Sequence, residues 1–135
     1  MSDSLRALHL THFLYNDVMQ HEDFTVKLKQ VCEQDTSADA SGWTKENPLW
    51  GHCAVVAVLV QDYFAGTILK GSLSTHPKYA HLRSHFWNIL PDGRQIDFTA
   101  EQYPDFSFSE LDSEERSREN ILSHPGSNER YAILK

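Results

Sequence analysis

Residues 84–99 read SHFWNILPDGRQIDFT, two alternating runs on either side of Pro91, Asp92 and Gly93. Pro at the second position of a type I turn, Asp at the third and Gly at the fourth build a three-residue hairpin loop, with Gly93 in the left-handed region. Leu90 then pairs with Arg94, and the same count sets Trp87 opposite Asp97. Side chains alternate along a strand, so His85, Trp87 and Asp97 share one face while Phe86, Leu90, Ile96 and Phe98 lie mainly on the other. The hairpin brings His85 and Asp97 together diagonally. Asp is disfavoured within strands, which makes Asp97, held between Ile96 and Phe98, a residue in need of a role.

Upstream, residues 53–66 read CAVVAVLVQDYFAG and are apolar nearly all round. Four valines suit a buried strand, but a dozen residues exceed a usual strand, and Gly66 is the type favoured just past a helix C-terminus. The run is therefore expected to be a buried central helix that starts at Cys53. TILKGSL (67–73) follows as a strand. Residues from about Leu5 to Met19 read as a first helix capped by Asp3 or Ser4, and Phe24, Leu28, Val31 and Cys32 form the stripe of a second. DTSADASGWTKENP (35–48) reads as loop, and HPKYAHL (76–82) is ambiguous. After the hairpin, Ser113 is expected to cap a helix through Leu122, His124-Pro125-Gly126 to break it, and NERYAILK to form a last short element. The whole is expected to be one α+β domain, residues 1–27 adding an N-terminal helix to a core at 28–135.

With 40% hydrophobic and 11% aromatic residues in 135, the chain can bury one core without disulfides. A formal charge of −7 with scattered Lys and Arg excludes a phosphate-tracking stripe, so no nucleic-acid partner is expected. No run approaches the roughly 18 apolar residues that span a bilayer, and the N-terminus lacks a signal pattern; a soluble, cytoplasmic protein without a membrane partner is expected. Cys32 and Cys53 are the two cysteines, in very different settings, and read as free thiols. His9 with His12, and His76, His81 and His85, invite a metal, but no Cys-x-x-Cys or HExxH accompanies them, so none is expected. No phosphate loop or dinucleotide fingerprint occurs, and no cofactor is expected.

A thiol nucleophile needs surroundings that favour its thiolate, and a helix N-terminus supplies them through unpaired N–H groups and the helix dipole. Cys53 stands at that position. Gly51 lets the preceding turn bend tightly, and the Cys53 N–H could donate to an oxyanion. A buried apolar cysteine is the plain alternative. His85 and Asp97 on one hairpin face tip the balance, because a thiol enzyme needs an imidazole to carry the proton and a third group to orient that ring. Asn47, six residues before Cys53, is a further oxyanion candidate, or a turn former beside Pro48. Trp87 is expected in the cleft and Trp50 in the core. Gln61 and Asp62 are expected to face a neighbouring loop, and His52 to be a lining or surface residue, since an adjacent helix position points about 100° away.

HFWN followed by PDGRQIDFT, with Cys53 at the start of an upstream helix, resembles the His-x-Trp and Asp-x-Thr strands of transglutaminase-like and papain-like thiol proteins. NPLWGHCAVVAVLVQDYFAGTIL, HFWNILPDGRQIDFT and the ending RYAILK resemble the small bacterial YunG-type proteins, with Asn-Pro-x-x-Gly-x-Cys-Ala, Gln-Asp-x-Phe, then His and Asp-x-Thr. His52 stands where that pattern often has Gln, and Ala65-Gly66 where it has Gly-Gly. The resemblance implies a papain/transglutaminase-like core, with a central helix starting at the cysteine packed on an antiparallel sheet, and a Cys53-His85-Asp97 triad. The expected activity is a cysteine hydrolase or acyl-transfer enzyme acting on a peptide, protein or small amide. The alternative is a binding or accessory module on the same scaffold.

Overall fold

The structure, a computed structural model, describes residues 17–135, with side chains from residue 21 on. The helix read over Leu5 to Met19 lies almost wholly outside the described residues, as do His9 and His12. Helix α1 spans Asp17–Val31. Its Phe24, Leu28 and Val31 are buried together with Cys32, the stripe read from the sequence. Helix α2 spans Cys53–Phe64 and buries Cys53 and every residue from Val55 to Val60. Its length and its Gly66 terminator won over the β propensity of its valines. The helix ends through two residues of positive φ, Ala65 at 63° and Gly66 at 89°. Only glycine fits the second, because a Cβ there would lie 2.1 Å from the Ile89 carbonyl oxygen.

Strands β1 (Thr67–Ser72), β2 (Ser84–Ile89), β3 (Gln95–Ile96) and β4 (Ser113–Glu115) form one antiparallel sheet in the order β3-β2-β1-β4. The α+β class follows directly. In the β2–β3 hairpin Asn88 faces Ile96 and Ile89 faces Gln95, which is the register that sets Trp87 against Asp97. The Leu90 N–H donates to the Arg94 carbonyl at 2.8 Å, and Gly93 takes φ 92°. The turn chemistry thus fixes which side chains share a face.

Two regions of the sequence fold differently from expectation. Ser113 caps no helix; Ser113–Glu115 is edge strand β4 on β1, and helix α3 (Arg118–Leu122) begins after Ser117, whose hydroxyl accepts from the Asn120 N–H. Three exposed polar residues carry no apolar alternation, so pairing with β1, rather than pattern, makes them a strand. α3 ends at Leu122 ahead of His124-Pro125-Gly126, as expected, but these residues also open the next helix: His124 is the N-cap of α4 (Pro125–Leu134), with Pro125 in the first turn, where its missing N–H costs nothing.

One face of the sheet packs on the helices through Phe24, Leu28, Leu59, Leu90, Phe98 and Leu134. Aromatic loops cover the other, with Tyr79, Tyr103 and Phe106 packed around Leu73. No helix among the described residues is long and apolar enough to cross a membrane.

Candidate active site

Gly51 takes φ 77°, and a Cβ on it would lie 2.2 Å from Ser37 Oγ, so the chain can turn sharply into α2 only with glycine here. The turn is braced from both sides. The Gly51 carbonyl accepts from Ala38 N–H at 2.9 Å, and the Gly51 N–H donates to Gln102 Oε1 at 3.0 Å. Cys53 then enters as the first residue of α2, in the turn whose N–H groups have no intrahelical acceptor.

Opposite it, His85 on β2 is fully buried, and its Nε2 lies 2.6 Å from Asp97 Oδ2. The other Asp97 oxygen accepts from the Thr99 N–H at 3.0 Å and the Thr99 hydroxyl at 3.1 Å. That clamp holds the carboxylate in one orientation. The remaining ring nitrogen, Nδ1, is buried and has no aligned hydrogen-bond partner. Cys53 is nonetheless close enough to act on the ring through bonding and charge. Burial opposes the charge on His85, but Asp97 and then Cys53 outweigh it and raise the imidazole pKa to about 9. The ring therefore carries a proton at neutral pH.

Trp87 lies behind the imidazole. Its ring stacks on His85 at 5.6 Å and 21°, and its Nε1 donates to Gln95 Oε1 at 2.9 Å. It shares the His85 face, as the hairpin count requires, but at 1% exposure it backs the ring instead of walling a cleft. Tyr103 meets His85 edge-on at 5.0 Å, and its pKa is raised by burial first and then by the charges of Cys53 and Asp97.

A cleft of about 500 Å³ opens over the sulfur, bounded by Gly51, Cys53, Phe86, Tyr103, Ile121 and Arg130. Asn47 is not among its walls: its Nδ2 donates to the Gln102 carbonyl at 3.2 Å, so the amide braces the turn and is spent there. His52 is corrected too. It is fully buried, with Nδ1 donating to the Trp50 carbonyl at 3.0 Å and Nε2 2.8 Å from the Thr36 hydroxyl. The carbonyl can only accept, so Nδ1 carries the hydrogen and Nε2 receives from Thr36. Burial lowers its pKa from 6.5 to about 4. His52 comes before the helical residues, so the helical angle did not apply to it, and its ring points inward.

Gln61 and Asp62 do turn away from the sulfur. Asp62 Oδ1 accepts from Arg118 at 2.6 Å and its Oδ2 from the Tyr131 hydroxyl at 2.5 Å, while Gln61 Nε2 donates to the Gly66 carbonyl at 3.0 Å. Trp50 packs on Tyr79 and Tyr103, and its Nε1 donates to Asp39 at 3.0 Å. Cys32 is buried in the helical core. Thr99, Gln102, Tyr103 and Arg130 were missed from the sequence. For Thr99 alone a signal existed, because Asp-x-Thr is the spacing at which a carboxylate caps its own turn. Among the described residues, no group of three or more His, Cys, Asp or Glu could hold a metal ion.

A model of the family described as YunG protein matches residues 20–135. A Bacillus subtilis (strain 168) protein described as "Uncharacterized protein YunG" is 36% identical over 77 residues, which cover 56% of this chain and 60% of the relative. The matched stretch thus spans less than two thirds of that curated relative's length. No solved structure matches the chain.

Proposed function

The chain belongs to the YunG family, and from that premise we propose that it is a cysteine hydrolase or acyl-transfer enzyme on a papain/transglutaminase-like core, with Cys53, His85 and Asp97 as its triad. The observation that carries this reading is His85: a buried imidazole, oriented through one nitrogen by a clamped carboxylate, with its other nitrogen unaligned and a cysteine beside it at a cleft. A structural histidine uses both nitrogens, as His52 does. Hydrogen bonds between nucleophile and base commonly tighten only when substrate binds, so the loose contact of Cys53 with His85 fits the role.

In the reaction, the Cys53 sulfur attacks the acyl carbon, an S–C bond forms, and the carbonyl electron pair moves onto oxygen. The N–H of Cys53 at the helix start donates to that oxyanion. As the oxygen pair returns, the C–N bond breaks and the leaving amine takes the proton from His85 Nδ1. Water, or a second amine in a transfer, then attacks the thioester and gives its proton back to His85, and the sulfur departs with its electron pair. Asp97 holds the ring and stabilises its charged form throughout. A cytoplasmic location suits two cysteines that form no disulfide with each other.

Alkylation by iodoacetamide tests the reading without knowledge of the substrate. At about pH 6 an ordinary thiol of pKa near 8.5 is almost wholly protonated and reacts slowly, so fast alkylation there marks a thiol activated by its neighbours. Cys53 in the native protein is expected to be labelled at least about tenfold faster than a free thiol in solution, and His85→Gln to remove the advantage with the fold retained by circular dichroism. Equal rates for wild type and folded His85→Gln would overturn the triad.

A further inference from the structure

The cleft above Cys53 is electrically unlike the molecule around it. The chain carries 19 acidic against 12 basic residues. Yet Lys70, Arg83 and Arg130 line the cleft against a single carboxylate, Asp39. That carboxylate is already engaged: Oδ2 accepts from Trp50 Nε1 at 3.0 Å and Oδ1 from the Ser41 hydroxyl at 3.0 Å. It also lies 3.9 Å from His81. None of the three cations forms an ion pair with a carboxylate among the described residues, although those residues hold several such pairs elsewhere.

Arg130 is the most exposed to the consequence. It is partly buried, its Nε is buried without a partner, and its one hydrogen bond runs from Nη2 to the Ser127 hydroxyl at 3.3 Å. Burial works against the charge of this guanidinium, and Cys53 and Glu129 favour it only from a distance, neither forming an ion pair with it, so an anion in the cleft would supply the bonded counter-charge. Arg83, also in the cleft lining, takes φ 70° and ψ −50°, a strained conformation for a residue with a side chain, and such strain gathers at ligand clamps.

We propose that the cleft admits a small amide or ester bearing a carboxylate, held by Arg130 with Lys70 and Arg83 at the rim while its acyl carbon meets Cys53. A volume of about 500 Å³ suits a compound of dipeptide size. The identity of the anion as part of a substrate rests on the thiol-enzyme reading; the presence of an anion site does not. Two measurements keep these apart.

The first compares iodoacetate, which is anionic, with neutral iodoacetamide. The ratio of their rates at Cys53 is expected to exceed the ratio at 2-mercaptoethanol by about tenfold at low salt, and to fall as salt is added. Lys70→Gln with Arg83→Gln, and separately Arg130→Gln, are expected to lower the ratio of the iodoacetate rate to the iodoacetamide rate toward that of 2-mercaptoethanol, whatever either change does to the reactivity of the thiol itself. The second needs no nucleophile: succinate, and not succinamide, at equal ionic strength is expected to raise the thermal midpoint of the wild type and not of the variants. A reactive Cys53 that shows no preference for iodoacetate, with no midpoint shift from succinate, overturns the anion site and leaves the triad standing. An unreactive Cys53 with succinate still bound overturns the enzyme and supports the site. Because the salt dependence is read on the wild type, a variant that fails to fold leaves the inference open to refutation.

Discussion

His52 and His85 are both wholly buried, and burial disfavours the charged form of each, yet their partners leave them on opposite sides of neutrality. His52 offers its ring a carbonyl and a hydroxyl, which satisfy the neutral form, whereas at His85 Asp97 and then Cys53 favour the charged one, although Nδ1 has no aligned partner. The neutral ring has a consequence for stability. With a folded pKa of about 4 against 6.5 when unfolded, His52 takes up a proton in the unfolded chain first as pH falls. Stability is therefore lost progressively from about pH 6.5 to 4, by about 3 kcal/mol in all. His85 does not confuse this window: raised to about 9, its contribution is complete below pH 6.5 and is lost progressively as pH rises from 6.5 through 9. His52→Asn keeps a donor for the Trp50 carbonyl and cannot titrate. Urea unfolding is expected to show it about 1 kcal/mol less stable at neutral pH, for the lost Thr36 bond, with the acid slope flattened. An unchanged slope would show that another group is responsible. The sequence could not announce this role, since a histidine beside a cysteine reads equally as chemistry or as packing.

At the scale of elements, the β2–β3 hairpin was legible because its instructions are local. Pro91-Asp92-Gly93 sets the turn, and the register carries His85 and Asp97 onto one face without help from elsewhere. β4 and the start of α4 were not legible, because Ser113–Glu115 is a strand only by virtue of β1, and the same Pro that ends one helix opens another. The end of α2 gives a prediction of its own. Ala65 sits at φ 63°, ψ −158°, a region that is nearly glycine's alone. Ala65→Gly relieves that strain but loses entropy to the unfolded chain, and the net expected gain is about 1 kcal/mol in urea unfolding. A loss of stability would mean that the strain is absorbed elsewhere in the turn.

At the scale of the whole molecule, the cleft draws its cations from β1, the β1–β2 connection and α4, which no periodicity in the sequence brings together. The placement of α4 depends on Asp62, which ties α2 to Arg118 and Tyr131. Asp62→Asn is expected to lower stability by about 1 kcal/mol, as for a partly exposed network, and to reduce the iodoacetate preference of Cys53 by loosening the helix that carries Arg130. Full retention of that preference would show that α4 is held by its core packing, through Leu134 and the Tyr131 ring, without the Asp62 tie. Because α4 supplies both the last wall of the cleft and a plug for the helical core, completion of the site is tied to the order of synthesis. On the ribosome Cys53 leaves the exit tunnel well before Arg130, so the nascent thiol spends its first moments outside the charge environment that the docked α4 completes.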